Sequence, residues 1–331
     1  MITVWAPEGI GEVRRGDDLA EHLLGAVRRA QQGIGEVAGT SLADGDVVCV
    51  TSKVVSKAEG RMVAGGRAEA VAAETRRLVA RRGSLEIVVN RLGLTMAAAG
   101  VDASNVETGT VLLLPEDPDA SARALRATLA ERTGRNVAVL VTDTAGRAWR
   151  EGQTDLAIGA AGLVVLDDLA GRVDPYGNTL AVTAPAVADE IAGAAELAAG
   201  KLGRRPFVVV RGRSDLVLPA GEDGPGAAAL VRRPGSDLFG LGAREAVLAA
   251  LATRARDREA FGAPVEAGDL RDVLAALTGT DVIVENGTVV VDPAGPADQR
   301  VTWVAAVAAY AHGWEPVEPG GSGVRLRPAT P

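Results

Sequence analysis

The pattern of apolar and polar positions along the chain predicts short buried strands that alternate with amphipathic helices. Apolar runs bounded by turn residues predict strands over residues 2–5, 46–51, 85–89, 110–114, 137–141, 161–168 and 206–212. Apolar residues at helical spacing predict helices over residues 17–32, 67–82, 117–134 and 185–202. The first part of the chain therefore combines helices and strands throughout.

A second series of elements follows a loop over residues 213–236, which is too apolar for a passive linker and is a candidate active-site lid. Beyond it the pattern predicts helices over 242–256, 267–279 and 298–314, a hairpin closed by Asn286-Gly287, and a strand over 323–328. We expect residues 1–245 to form the main domain and residues 246–331 a separate small α/β domain of unknown role.

The segment from Val137 to Arg150 carries the clearest chemical signal. Its apolar run is expected to end at Thr142-Asp143-Thr144, and Gly146 to break any regular element. A buried strand that presents an acid and a hydroxyl at its carboxyl end is a common way to hold a hard metal ion or a phosphate. A second predicted strand, over 46–51, likewise ends at a hydroxyl and a charge, Ser52-Lys53.

Composition narrows the class of protein. The 331 residues are 47% hydrophobic and carry a net charge of −8 with both signs interspersed, which argues against a nucleic-acid-binding surface. The sequence has no apolar stretch long enough to span a membrane and no basic-then-apolar start, so we predict a soluble cytoplasmic protein without membrane contact. The single cysteine, Cys49, lies in an apolar run and is interpreted as a core residue.

Two residue counts narrow the chemistry. With only two histidines, a histidine-centred triad or a nitrogen-rich zinc site is disfavoured, so a metal would be held by oxygen ligands, which suits magnesium, manganese or calcium. Lysine supplies three of the 35 basic residues, and two of these, Lys53 and Lys57, lie four apart. Because arginine is the usual basic residue of this chain, a lysine that is kept suggests that a compact ammonium group is needed, as at a phosphate. The alternative is that the two lysines are an exposed pair that occurs by chance.

Together these residues favour a metal-dependent, phosphate-handling enzyme over a non-catalytic domain, without identifying the reaction. Neither a P-loop, nor a dinucleotide-binding fingerprint, nor a serine-hydrolase motif occurs in the sequence. The candidate groups are acids, oxygen or amide partners, and ammonium groups: Asp102, Asp143, Thr144, Ser104, Asn105, Lys53 and Lys57.

The motifs TSKVVSKAEGR, GVDASN, DTAGRAWREGQTD and DPYGN resemble, in this order, those of the coenzyme F420:L-glutamate ligase family, also called F420-0:γ-glutamyl ligases. The resemblance runs from about residue 7 to about residue 245. It implies an unusual α+β fold that forms a homodimer. It also implies a GTP-dependent enzyme that adds L-glutamate, once or repeatedly with γ-linkage, to the deazaflavin precursor of the coenzyme, releasing GDP and phosphate.

The matching motifs imply which residues of this chain have the binding roles known in the family. The resemblance implies that Asp102 and Asp143 bind a first divalent cation and Thr144 a second, with Mg²⁺ or Mn²⁺ as the metal and a place for K⁺. The residues expected to contact GTP are Ile10, Gly11, Glu12, Val13, Ser52, Lys57 and Asn105. The loop reads IGEV, where relatives often carry Leu-Pro.

Catalytic roles are expected for Lys57, which would offset phosphoryl charge, for Asp143, and for Arg147. Arg147 and Arg150 would anchor a phosphate or the glutamate carboxylates. Trp149 would either stack on the deazaflavin or belong to the core.

The carboxyl-terminal segment is too short for the nitroreductase-like domain of fused relatives, so we expect no FMN and a role in dimerisation or partner binding. Two other readings stay open: a different metal-dependent amide ligase, and a catalytically silent deazaflavin- or nucleotide-binding protein.

Overall fold

A computed structural model describes residues 1–32, 41–103, 109–233, 241–292, 298–317 and 323–329. The chain forms two compact units, Met1–Val231 and Arg232–Pro331. In the described part of the chain, no helix is both long and apolar enough to cross a membrane.

The first unit combines helices with mainly antiparallel strands. Its strands are β1 (Thr3–Trp5), β2 (Val47–Thr51), β3 (Met62–Ala64), β4 (Thr75–Arg82), β5 (Leu85–Asn90), β6 (Thr95–Ala97), β7 (Thr110–Leu112), β8 (Ala138–Arg147), β9 (Arg150–Ala161) and β10 (Phe207–Arg211). Its helices are α1 (Leu19–Gln32), α2 (Ser52–Glu59), α3 (Arg67–Glu74), α4 (Pro118–Thr133) and α5 (Val187–Ala199). This mixture confirms the predicted α+β class.

A five-stranded sheet in the order β1-β10-β2-β8-β9 forms the centre of this unit. Apolar side chains of α1 and α4, including Leu23 and Leu129, pack with those of one sheet face, and α5 packs on the other through Ile191. Strands β2 and β8 are parallel neighbours, with Thr51 directly opposite Thr142. The carboxyl end of β2 therefore lies beside the middle of β8, next to Thr142 and Asp143.

Two smaller sheets complete the unit, β4-β5-β6 and β3-β7. The helix predicted over residues 67–82 is wrong in its second half, because α3 ends at Glu74 and the chain continues as β4. Leu78 pairs with Val88 of the strongly apolar β5. The residues of β4 are mostly acceptable in either conformation, and pairing with this neighbour decides the outcome.

The hairpin of β8 and β9 also differs from expectation. Strand β8 continues through Thr142-Asp143-Thr144 and Gly146 to Arg147, because β9 pairs with it along its whole length. Register shifts between Val141 and Thr142 and between Gly146 and Arg147 absorb the irregularity. The strand predicted over 161–168 is reduced to a single bridge between Leu163 and Val217.

Strong local signals are confirmed elsewhere. Asp117 caps α4 by accepting the Ala120 N–H at 2.9 Å, and Gly134 ends that helix with φ of 67°. Asn286 and Gly287 close a hairpin with φ of 49° and 75°.

The loop after β10 is fastened to the first unit. Arg126, which is 5% exposed, donates to the carbonyl of Glu222 at 2.9 Å and to Asp223 Oδ1 at 2.8 Å. Asp119 Oδ1 accepts the Ala227 N–H at 2.7 Å. Side-chain hydrogen bonds therefore hold the described part of this loop in place, and its role as a lid stays a prediction.

The second unit has its own core. Its elements are α6 (Ala243–Ala252), α7 (Ala267–Thr278), β11 (Val282–Glu285), β12 (Thr288–Val291), α8 (Gln299–Ala311), β13 (Trp314–Pro316) and β14 (Val324–Pro328). The strands form an antiparallel sheet in the order β11-β12-β14-β13. Leu270, Leu274, Val289 and Leu326 are fully buried between this sheet and its helices.

Candidate active site

The pairing of the end of β2 with the middle of β8 brings two predicted site residues into contact. Ser52 is the first residue of α2 and is buried, and its Oγ donates a 2.7 Å hydrogen bond to Asp143 Oδ1. Thr51 and Thr142, which precede these residues, are register partners. The parallel pairing is thus the direct cause of the contact, and it places a carboxylate beside the amino-terminal end of a helix.

Asp143 lies in an electrostatically unfavourable position for a carboxylate. The pKa of Asp143 is raised to about 6, mainly by burial and to a smaller extent by the negative charges of Asp155 and Asp102, while the Ser52 hydrogen bond and the Lys201 ammonium act in the opposite direction. The carboxylate is consequently short of positive charge, and a bound cation would relieve that shortage.

Asp102 reaches the same region from a tight left-handed turn. Ala98 and Ala99 have φ of 50° and 56°, and the buried Asn90 side chain steadies the turn by donating to the Ala99 carbonyl at 3.3 Å. Asp102 then pairs with Leu112 of β7 through two backbone hydrogen bonds. Its carboxylate lies 2.6 Å from the Lys53 ammonium.

Thr144 belongs to a polar cluster that sequence reasoning missed. Asp155 of β9 lies directly opposite it, is 5% exposed, and accepts hydrogen bonds from Thr144 Oγ1 at 2.7 Å and Thr142 Oγ1 at 3.1 Å. Lys201 Nζ donates to Thr144 Oγ1 at 2.6 Å. Asp155 escaped notice because β9 was not predicted, and the rarity of lysine was the signal that could have pointed to Lys201.

The amino-terminal loop approaches this region through Lys57. The Lys57 ammonium lies 3.9 Å from a Glu12 carboxylate oxygen, and the Gly16 N–H donates to the Ala58 carbonyl at 2.8 Å. Val13 is buried and Ile10 packs against the core, whereas Gly11 and Glu12 are exposed. Any nucleotide contact by Val13 would therefore use main-chain atoms.

The remaining predicted residues are less constrained. Arg147 and Arg150 lie at the exposed tip of the β8–β9 hairpin, where Arg147 donates to the Glu151 carbonyl at 3.0 Å. Trp149 is 89% exposed, so the core alternative for this residue is wrong. Ser104 and Asn105 lie outside the described residues.

The donor set suits a hard divalent cation. Asp102, Asp143 and Thr144 offer oxygen ligands only. Within the described residues, no group of three or more His, Cys, Asp or Glu side chains is arranged to hold a metal. Magnesium is commonly held by one or two carboxylates with water and substrate phosphate oxygens completing its shell, so the residues fit an ion that is bound together with a phosphate.

Comparison with known proteins identifies relatives of this chain. The family described as F420-0:Gamma-glutamyl ligase matches residues 9–68 and 65–212. These ranges contain all the candidate site residues that the structure describes.

Individual relatives match over a similar region, and each carries the name coenzyme F420:L-glutamate ligase. The protein of Archaeoglobus fulgidus is 39% identical over 231 residues, covering 64% of this chain and 88% of the relative. That of Methanopyrus kandleri is 37% identical over 249 residues, covering 69% and 93%. That of Haloarcula marismortui is 40% identical over 236 residues, covering 63% and 87%.

Proposed function

The chain belongs to the F420-0:gamma-glutamyl ligase family and is a ligase, and we propose that it joins L-glutamate to the deazaflavin precursor of coenzyme F420 at the expense of GTP. The observation that carries this proposal is the convergence of Ser52, Asp143 and Thr144 with ammonium groups at one sheet edge. Such a site suits phosphoryl transfer, which an acid–amine ligase needs before it can form an amide.

The reaction has two chemical steps. A carboxylate is a poor acceptor for an amine because it has no good leaving group. A carboxylate oxygen of the precursor therefore attacks the γ-phosphorus of GTP, which forms an acyl phosphate and releases GDP. The glutamate nitrogen then attacks the acyl carbon, phosphate leaves with the C–O bonding electrons, and the amine proton passes to a base.

Lys57 is proposed to stabilise the transferring phosphoryl group. Its side chain is 13% exposed, so its positive charge acts in partly desolvated surroundings, where it has more effect than in water. Ser52 would contact the nucleotide from the first turn of α2, where backbone N–H groups also point outward.

Asp102 and Asp143 are proposed to hold one divalent cation, Mg²⁺ or Mn²⁺, and Thr144 a second. Bound there, the cations would supply charge that offsets the negative phosphate oxygens. Asp155 contributes by fixing the Thr144 hydroxyl, because its carboxylate accepts that hydroxyl's single proton. The family resemblance adds a place for K⁺.

The precursor and glutamate would be bound partly from the β8–β9 hairpin. Arg147 and Arg150 provide guanidinium groups that can pair with phosphate or carboxylate, and the exposed Trp149 offers a face for stacking on the deazaflavin. We further propose that the chain acts as a homodimer, which light scattering of the purified protein would test.

The deciding assay incubates the protein with the deazaflavin precursor, L-glutamate, GTP and Mn²⁺, and follows product mass. We expect the mass of one or more glutamyl units to be added, with stoichiometric GDP, and no product when GTP or the metal is withheld. Asp272→Asn, an exposed substitution of the same type in the second unit, is the matched control for Asp143→Asn and should be fully active. GTP or precursor binding without any glutamyl product would instead support a silent binding protein.

A further inference from the structure

Lys201 is a site residue that neither the sequence motifs nor the proposed reaction uses. It follows α5, in the turn that ends that helix. The chain has three lysines against 32 arginines. Each of the three lysine ammonium groups lies against the candidate site: Lys53 on Asp102, Lys57 near Glu12, and Lys201 on Thr144. All three lysines of the chain are thus concentrated at one place.

The hydrogen bonds around Thr144 define what Lys201 does there. A threonine hydroxyl has one proton and two lone pairs. The proton is directed to Asp155 Oδ1 at 2.7 Å, so the lone pairs face away from Asp155, and Lys201 Nζ donates to one of them at 2.6 Å. The ammonium therefore occupies the side of the oxygen from which a cation would be coordinated.

A divalent cation and the Lys201 ammonium would compete for this position. A Mg²⁺ ion lies about 2.1 Å from an oxygen ligand. With the ammonium 2.6 Å from the same atom, the two positive charges would be separated by less than about 5 Å. Like charges at such a separation repel each other strongly in a partly buried site.

Lys201 is also held loosely enough to leave. Its side chain is 65% exposed, so its solvation changes little when it moves. Glu196 of α5 lies 3.9 Å from the Lys201 ammonium, and its carboxylate offers an alternative partner in the last turn of the helix that precedes Lys201. A small rotation would convert the Thr144 hydrogen bond into a closer Glu196 ion pair.

We propose that the Lys201 ammonium is a displaceable counter-ion, which occupies the cation position on Thr144 and moves to Glu196 when a divalent cation binds. This rests on the proposed metal site at Asp102, Asp143 and Thr144. The consequence is weakened binding of free divalent cation, so that the site fills most readily when the cation arrives with an anionic substrate.

The small number of lysines makes a direct test practical. Protein carrying lysine labelled with ¹³C at Cε gives three side-chain signals, which Lys53→Arg, Lys57→Arg and Lys201→Arg assign by their disappearance. On titration with Mg²⁺, we expect the Lys201 signal to shift and narrow in a saturable manner. The Lys57 signal is the internal reference and should stay in place without nucleotide. A Lys201 signal that ignores saturating Mg²⁺ would overturn the proposal.

Affinity gives an independent readout. Free Mn²⁺ is measured by electron paramagnetic resonance with the wild type, Lys201→Met, Lys201→Arg and Asp143→Asn, with and without a non-hydrolysable GTP analogue. We expect Lys201→Met to bind Mn²⁺ several-fold more tightly, at low and high salt alike, and Lys201→Arg to resemble the wild type. An advantage of Lys201→Met that disappears in high salt would indicate distant charge repulsion and would contradict displacement.

These outcomes separate the two proposals. Unchanged Mn²⁺ affinity in Lys201→Met, combined with loss of binding in Asp143→Asn, would refute the role of Lys201 and leave the metal site standing. Absence of Mn²⁺ binding to the wild type, with and without the GTP analogue, would refute both.

Discussion

Ser52 Oγ donates a 2.7 Å hydrogen bond to Asp143 Oδ1, although 91 positions separate the two residues. The contact exists because β2 and β8 are parallel neighbours and β2 ends at Thr51, opposite Thr142, which places Ser52 beside Asp143. It uses the only proton of the serine hydroxyl and one oxygen of the carboxylate. The second carboxylate oxygen and the serine lone pairs are acceptors that can still coordinate a cation.

Asp143→Asn should abolish ligation while leaving the protein folded. The amide keeps an oxygen that can accept the Ser52 hydrogen bond, but it removes the charge that the proposed cation requires. The mass of the product measures ligation, and circular dichroism shows whether the protein is folded. A stable Asp143→Asn protein with nearly normal turnover would disprove the metal role of this residue.

The stability of the metal-free protein should fall as pH rises from about 4 to about 6. Burial raises the pKa of Asp143 from 3.8 to about 6 in the folded protein, so the folded state binds a proton more tightly than the unfolded state across this window. The free energy of unfolding therefore decreases with rising pH, by at most about 3 kcal/mol. Urea unfolding at several pH values, with a chelator present, measures this decrease in the free energy of unfolding.

The same substitution supplies the control for this pH effect. Asp143→Asn has no charge to bury, so at pH 8 it should be more stable than the metal-free wild type, and the difference should disappear near pH 4. Saturating Mg²⁺ should restore the stability of the wild type at pH 8, because a bound cation favours the ionised carboxylate. Parallel pH profiles of the two proteins would show that Asp143 does not cause the effect.

The sequence predicts those elements whose signals are local. Helix α4 is framed by Asp117 and Gly134, whose capping roles depend on their immediate neighbours. Strands β4 and β9 lack such signals: β4 contains four arginines, and β9 begins with polar residues and ends in alanine and glycine. Their conformation is decided by pairing with β5 and β8, which an inspection of short windows does not reveal.

The residues of the candidate site also fall into two groups, those that local sequence signals indicate and those that only the folded structure reveals. Asp143 and Ser52 follow apolar runs of the sequence and could be proposed from that position alone. Asp155 and Lys201 could not, because their contacts with Thr144 require the hairpin register and the position of the turn after α5. Rarity of lysine was available in the sequence, but it identifies a partner only when the geometry is known.

Cys49 should be chemically inert in the folded protein and dispensable for ligation. Its side chain is buried, and burial together with the negative charge of Asp155 raises the pKa of its thiol to about 12, so the reactive thiolate is scarcely populated. Iodoacetamide should label it only after unfolding. Cys49→Ala should keep its activity and lose about 1 kcal/mol of stability. Rapid labelling of the native protein would contradict this assignment.

Asp155→Asn tests whether the buried carboxylate orients Thr144. Thr142 and Thr144 donate to different carboxylate oxygens of Asp155, and asparagine replaces one of these oxygens by an NH2 donor. We therefore expect a loss of about 1–3 kcal/mol in stability and a larger loss of activity than Thr142→Val causes. Thr142→Val is the matched control, because it removes one hydrogen bond to Asp155 and leaves the Thr144 contact intact. Urea unfolding and ligation assays measure both variants. Equal activity in the two, at equal stability, would show that Asp155 supports only the fold.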